Sequence, residues 1–457
     1  MRLVLLSGGS GKRLWPLSND TRSKQFLKVF KNGWNEHESM VQRVWGQLKS
    51  VNLASRTVIA TSKSQVEMIQ DQIGLDVPIL VEPERRDTFP AIALAATYLY
   101  SIQGMDLDES LVVLPVDPYV QNHFFEKIKE LENLLEETDA DIALLGVVPS
   151  YPSEKYGYIV PKDYLDVDSY MQVKYFQEKP SKSHAIELIE QNALWNCGVF
   201  ACKLRYIISI LQEKGLPISY KELLSNYHLL SKISFDYEIV EKAKNIVALL
   251  YTGYWKDLGT WNTLTDAMDT KIVGKGIICE NSQNTHLINE LNIPIITVGL
   301  SNVVVAASPD GILITDKKTS AQVKTYVNQF NQRPMYEERR WGSYKILDYT
   351  KNVNEQEVLT KKLKIKSGRN ISYQLHYKRN EVWTILQGEG EFVLNDVIFH
   401  VKAGDVLQIP ERAKHGLRAI SDMEIIEVQR GSQLIEEDIE RIYMTWGELV
   451  ENCSSLA

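Results

Sequence analysis

Arg2-Leu3-Val4-Leu5-Leu6-Ser7-Gly8-Gly9-Ser10-Gly11-Lys12-Arg13 runs from a short apolar stretch straight into a glycine-rich loop. The apolar run reads as a buried strand. Gly8, Gly9 and Gly11 let the backbone turn tightly and aim its N–H groups at an anion that a side chain would keep away. Arg13 and Lys24 add two positive charges close by. A strand that ends in such a loop predicts a polyphosphate site at the edge of an α/β sheet. The loop is not a Walker A sequence, because no Gly-Lys-Ser/Thr closes it. It also lacks the third glycine of the dinucleotide fingerprint.

Working outward, the same strand type recurs at Leu3–Leu6, Thr57–Ala60, Pro78–Val81, Leu111–Pro115 and Ile142–Val147. Helical patterns separate these runs at Met40–Leu48, Gln65–Ile73, Ala91–Ser101 and Phe124–Glu137. The alternation predicts a Rossmann-like open α/β sheet of buried parallel strands over residues 1–268, with ligands beyond the strands' carboxyl ends. The pattern then changes. Short β-rich segments with Asn, Ser, Pro and Asp-Gly turns predict a small β connector over 269–330, closed by a helical link at Gln322–Gln332. From 331 to 457, strands at Leu359–Ile365, Ile371–His376, Val382–Leu386, Gly390–Leu394, Val406–Ile409 and Glu424–Gln429 predict a small antiparallel barrel or jelly roll.

At 457 residues, two or three domains are expected. A 44% hydrophobic, 24% charged composition is that of a soluble globular protein. The net charge of −8 argues against nucleic acid and an anionic membrane surface as partners, so a phosphate site must be a local cluster of cations. Cys197, Cys202, Cys279 and Cys453 are scattered without metal spacing. With no leader-like start and no transmembrane-length apolar run, the expected location is the cytoplasm.

Gly8-Gly9-Ser10-Gly11-x-Arg13-Leu14-Trp15-Pro16-Leu17-Ser18, followed by Lys24-Gln25-Phe26-Leu27, resembles the signature of sugar-1-phosphate nucleotidyltransferases, most of all bacterial mannose-1-phosphate guanylyltransferases. Lys12 stands where threonine is common, and Ser23 where proline usually precedes the lysine. The resemblance implies GTP and mannose 1-phosphate as substrates, GDP-mannose and pyrophosphate as products, Mg2+ as cofactor, and a homo-oligomer, expected to be a dimer. Polysaccharide biosynthesis is the process implied. Gly8, Gly9, Ser10, Gly11 and Lys12, with Arg13 and Lys24, would hold the triphosphate.

Asp117, at the end of a buried strand, offers a hard oxygen to Mg2+. Trp255-Lys256-Asp257-Leu258-Gly259-Thr260-Trp261 is similar to the family's W-x-D-x-G-x-W element, which makes Asp257 the second ligand. Such transfer is positioning plus electrostatics, so no acid–base residue is required. Tyr175-Phe176-Gln177-Glu178-Lys179-Pro180 resembles F-x-E-K-P, whose lysine binds the sugar phosphate. Glu178 could accept from a sugar hydroxyl. Tyr156-Gly157-Tyr158-Ile159 and the stretch around Asn196 and Gly198 match segments that line the sugar in relatives. Glu82, Arg86 and Thr88 fall in an E-P-x-x-R-N-T-like stretch near the nucleoside, with Asp87 in place of asparagine. Asp236, in a stretch like S-I-D-Y, is given a supporting role.

In the last region, Gly368-(five residues)-Gln374-x-His376-(four)-Glu381-(six)-Gly388 fits the first cupin motif, and Gly404-(five)-Pro410-x-Arg412-(two)-His415 the second. Period-two alternation puts Gln374 and His376 on one face, toward the lumen. With Glu381 and His415 they form a mixed N/O set for Zn2+ or another divalent metal. The region resembles the phosphomannose isomerase part of bifunctional type II enzymes. Two of that family's histidines are replaced here by Lys378 and Val382, while Arg379 persists. On a straight strand Lys378 would share the lumen, so Lys378 and Arg379 are the further isomerase candidates. The alternative readings are transfer to another sugar phosphate or of another base, and a non-catalytic nucleotide-sugar-binding regulatory protein.

Overall fold

The computed structural model describes all residues except 10, 20, 163–169, 331, 352–355, 436, 437, 453, 456 and 457. Ser10 and Cys453 therefore lie outside the described residues. The chain divides into two compact units, Met1–Leu14, Ser23–Lys271 and Lys317–Ala321 on one side and Trp15–Arg22, Ile272–Asp316 and Gln322–Ala457 on the other.

The first unit is built on a nine-stranded sheet. Its spatial order is Ile79–Glu82, Thr57–Ser62, Arg2–Leu6, Ser110–Pro115, Leu194–Lys203, Ile142–Val147, Ile246–Leu250, Met171–Gln177 and Tyr158–Pro161. The first four strands are parallel, as is the pair Ile142–Val147 with Ile246–Leu250. The expectation of parallel pairing needs correcting, since Met171–Gln177 lies antiparallel to both Ile246–Leu250 and Tyr158–Pro161. Leu194–Lys203 runs antiparallel between Ser110–Pro115 and Ile142–Val147, so the sheet is mixed. The helix Thr88–Ser101 is buried along almost its whole length, because Phe89, Ile92, Leu94, Leu99 and four alanines leave no polar face. It packs on the strands together with Leu204–Glu213, forming the main core.

In the second unit, Ile272–Asp316 forms short parallel strands in two small sheets plus the antiparallel strand Gly311–Asp316. Trp15–Arg22 is tied into this unit. Ser308 Oγ donates to the Pro16 carbonyl at 2.6 Å, Asn19 Nδ2 to Asp310 at 2.7 Å, and Arg22 grips Glu290 through both terminal nitrogens at 2.8 and 2.9 Å. The expected helical link is a shorter helix, Val323–Val327. Two six-stranded, largely antiparallel sheets follow and enclose a core around Trp383, Phe392, Leu359 and Ile425, the expected jelly roll. No helix among the described residues is long and apolar enough to cross a membrane.

Candidate active site

The glycine loop leaves the strand Arg2–Leu6 with its carbonyls held from the protein side. Ser23 Oγ donates to the Gly9 carbonyl at 2.6 Å, and Gln65 Nε2 donates to the same oxygen at 3.2 Å and to Ser23 Oγ at 2.7 Å. Gln25 Nε2 and Thr61 Oγ1 donate to the Ser7 carbonyl at 3.1 and 3.2 Å. Ser23, a departure from the resembled pattern, is thus part of the loop's scaffold. Gly8 and Gly9 line a cavity of about 270 Å³ with Lys24, Glu82, Arg85, Arg86, Asp87, Thr88 and Asp117. A side chain at Gly8 would set its Cβ 3.0 Å from Glu82 Oε1. Burial pushes the Glu82 carboxyl up, against the Tyr227 hydroxyl that donates to Glu82 Oε2 at 2.8 Å.

A second cavity of about 240 Å³ adjoins the first and shares Lys24, Pro115 and Asp117 with it. Its walls include Gly157, Glu178, Asn196, Gly198, Asp236 and Asp257. The pairing that completes it is short: Trp255–Asp257 lies antiparallel on Pro118–Val120, with Asp257 opposite Pro118. Asp257 is thereby brought beside Asp117 from a distant stretch of chain. Lys24 Nζ bridges the two, 2.6 Å from Asp117 Oδ2 and 3.2 Å from Asp257 Oδ1. Burial opposes the lysine's charge, and the two carboxylates outweigh it, holding its pKa above the usual value. One ammonium occupies the place between two acids where a small hard cation would also fit.

The far wall is shaped by a bulge in Leu194–Lys203 between Asn196 and Phe200. Gly198 (φ +75°) donates its N–H to Asn196 Oδ1 at 3.0 Å, which turns the Asn196 amide nitrogen to Asp236 Oδ1 at 3.2 Å. Gly157 is required on steric grounds, since a Cβ there would stand 2.6 Å from Glu178 Oε2. Burial and the neighbouring Glu178 push Asp236 up to about 7, and burial raises Glu178 in spite of its ion pair with Lys179 at 2.6 Å.

In the barrel, His376, Glu381 and His415 are buried, with ligand-capable atoms within 4.8 Å of one another. His376 Nδ1 is bonded to the Asp438 carbonyl at 2.6 Å and His415 Nδ1 to that of Ala413 at 3.0 Å, so both rings turn Nε2 inward. His415 Nε2 is buried without a hydrogen-bond partner. Burial lowers the pKa of both imidazoles, that of His376 to about 4. Two neutral nitrogens, one left orphaned, and a carboxylate are a donor set that fits a divalent metal. Arg379 supplies the positive charge instead, with Nε 2.9 Å from Glu381 Oε1 and Nη2 3.2 Å from His376 Nε2.

Residues 2–272 match the sequence model of the family described as "Nucleotidyl transferase". The chain belongs to that family. Residues 328–444 match the model described as "Mannose-6-phosphate isomerase C-terminal". Mannose-1-phosphate guanylyltransferase RfbM of Salmonella typhimurium is 28% identical over 96% of this chain and 96% of its own. Alginate biosynthesis protein AlgA of Pseudomonas putida is 29% identical over 97% and 96%. A crystal structure from Thermus thermophilus, described as mannose-1-phosphate geranyltransferase, has a TM-score of 0.61 and 28% identity, covering 72% of this chain and 98% of its own. The protein is an enzyme of the nucleotidyl transferase family, a family that works on nucleotides and sugar phosphates with a divalent metal.

Several expected residues stand elsewhere. Arg13 sits exposed on the turn Lys12–Leu14, and neither it, Gly11 nor Lys12 is among the described residues lining the two cavities. Tyr158 is fully buried, and its hydroxyl bonds the Ser153 backbone at both N and O, so it clamps a loop instead of lining the second cavity. Arg86 lines the first cavity, yet its guanidinium is turned to Glu84 and the Leu230 carbonyl. Lys179 has a left-handed backbone (φ +44°), and its Nζ lies against Glu178 and over the Tyr237 ring. Gln374 is buried with Oε1 accepting from Ser372 Oγ at 2.8 Å.

Lys378 requires a correction. The strand stops at Leu375, because the Asp438 carboxylate accepts the Tyr377 and Lys378 N–H groups at 3.1 Å each and bends the chain away. Lys378 points to the surface and bonds Gln433, not the lumen. Sequence reasoning missed Gln65, Arg85, Glu427 and Gln429. Gln429 donates to Glu381 at 3.1 Å, and Trp383 Nε1 donates to both Glu381 and Glu427. No local signal marks these residues: Glu427 and Gln429 meet their partners through sheet register, and Gln65 and Arg85 through the path of a turn and a loop.

Proposed function

We propose that this enzyme transfers the guanylyl group of GTP to α-D-mannose 1-phosphate, giving GDP-mannose and pyrophosphate. The observation that carries the reading is the pair of adjoining cavities joined at Lys24 and Asp117, one with a glycine loop and one with hydroxyl-binding side chains. The name of the Salmonella relative supports guanine and mannose. Asp117 and Asp257 would hold Mg2+, which when bound supplies neutralisation of the triphosphate charge. The loop amides of Gly8 and Gly9 cradle phosphate oxygens. Lys24 exchanges its two carboxylates for the departing pyrophosphate, and Arg13 reaches the same anion from the turn. Asn196, Glu178 and Asp236 orient the sugar, with Lys179 on its phosphate. The sugar phosphate oxygen already carries charge, so attack at the α-phosphorus needs orientation and no base. A matrix of nucleoside triphosphates against hexose 1-phosphates, scored by pyrophosphate release, tests the assignment. A regulatory binding protein would hold GDP-mannose and release nothing.

The Glu178–Asp236 pair makes a further expectation testable. Asp236 binds its proton more tightly in the folded chain than the usual carboxyl near 3.8, so folding stability falls as pH rises from about 4 toward 7. Asp236→Asn abolishes that slope. Its melting temperature is expected to match the wild type near pH 4 and exceed it by several degrees at pH 8, measured by calorimetry; parallel curves would show that Asp236 is not desolvated.

A second reading is favoured by the orphaned His415 Nε2. We propose that the barrel holds Zn2+ or another divalent ion on His376, Glu381 and His415, with Gln374 beside them, and interconverts mannose 6-phosphate and fructose 6-phosphate. Arg379 then moves from the metal position to an anionic substrate group. In this reading residues 1–268 carry the transfer, 269–330 connect, and 331–457 carry the isomerase.

A further inference from the structure

Four carboxyl side chains, Asp117, Glu178, Asp236 and Asp257, line the cavity that must receive a sugar phosphate of about two negative charges. Lys24 is already shared between Asp117 and Asp257, and Lys179 is paired with Glu178. Lys155 also lines this cavity, and its side chain is exposed. It belongs to no motif that the sequence singled out.

The loop that carries Lys155 is fixed from several directions. Ser153 Oγ accepts the Lys155 N–H at 3.2 Å, and the buried Tyr158 hydroxyl bonds Ser153 on both sides. The Tyr156 carbonyl accepts from Lys179 N at 3.2 Å, and that of Gly157 from Asn196 N at 2.8 Å. The Tyr156 ring packs between Trp195 and Trp255, at centroid distances of 4.9 and 5.4 Å. A loop held this firmly fixes the Lys155 backbone at the cavity rim, so substrate has only the side-chain rotamers to order.

We propose that Lys155 is a second binding residue, beside Lys179, for the phosphate of the sugar 1-phosphate, a cation not already paired with the acidic wall when the sugar enters. The proposal rests on the transferase reading above and adds a residue to it. A charge-assisted hydrogen bond at a partly exposed anion is lost with the ammonium, so Lys155→Met raises KM for mannose 1-phosphate about 10- to 100-fold. KM for GTP stays within about twofold, because the triphosphate sits in the other cavity. Lys155→Arg restores most of the affinity. In the reverse direction, KM for pyrophosphate is unmoved while that for GDP-mannose rises.

The experiment is steady-state pyrophosphate release by the full chain for wild type, K155M and K155R, with both substrates varied. Wild type inactive with every triphosphate and hexose 1-phosphate would refute the transferase reading itself. Active wild type with an unchanged sugar-phosphate KM in K155M would overturn the role of Lys155 alone. So would a fall in kcat with both KM values unmoved, or an equal rise in both.

Discussion

Asp257→Asn and Asp117→Asn are each expected to lower kcat for pyrophosphate release about 100- to 1,000-fold, equivalent to about 3–4 kcal/mol of transition-state stabilisation. Each substitution keeps the shape of the side chain and removes one formal charge from a site that must gather a metal ion and a triphosphate. Neither acid belongs to the core, and Asp257 is opposite Pro118 in a three-residue pairing, so both variants should fold normally. The loss should be partly recovered at high metal concentration, because the remaining acid still offers oxygen ligands. The double variant should lose little beyond the worse single one, since the two act on one ion. Stopped assays with coupled pyrophosphate detection measure all three. Unimpaired turnover in either single variant would remove the shared-ion arrangement.

The second large effect belongs to the barrel. His376→Ala should remove the bound divalent ion and lower any mannose 6-phosphate to fructose 6-phosphate conversion more than about 100-fold. Pyrophosphate release should be unchanged, since the cavities that support it lie wholly within the first unit. The wild type should contain about one equivalent of divalent metal after purification, and chelation should mimic the substitution. Metal analysis answers the first point without an activity assay. Full isomerisation by the chelated wild type, or by His376→Ala, would leave the barrel without the proposed metal chemistry.

Much of the first unit was legible because its strands carry a local mark. Leu3-Val4-Leu5-Leu6 and Leu111–Leu114 are short apolar runs with no exposed face, the pattern of strands covered on both sides. Leu194–Lys203 carries no such mark. Asn196 and Gly198 interrupt its apolar residues where the bulge shapes the wall of the second cavity, so the cavity that the strand lines disguises it. The same conflict appears in the barrel. His376 follows the alternation of its strand, but Asp438, far along the sequence, takes the next two N–H groups and sends Lys378 outward. A partner so distant leaves no trace in local periodicity.

Among the candidate site residues, motif chemistry brought some together and not others: Arg13 lies outside both cavities, and the Arg86 and Lys179 cations are turned to neighbouring groups. Lys24, Asp117 and Asp257 meet as the motifs imply. Tyr158 looked like a sugar contact because its segment matches one that lines the sugar in relatives, yet its ring is fully buried and its hydroxyl holds the Ser153 backbone. Lys155 and Gln65 depend on loop path and register, which only the assembled sheet reveals.

In the proposed transfer, Asp117 and Asp257 share one ion with the triphosphate beside the glycine loop. Crystals grown with Mn2+ and a non-hydrolysable GTP analogue, with data collected for anomalous scattering, test it directly. A manganese peak is expected between the two carboxylates, bonded also to phosphate oxygens, with Lys24 moved onto the phosphates. A manganese ion bound to the triphosphate away from Asp257, with Lys24 still bridging both acids, would contradict it.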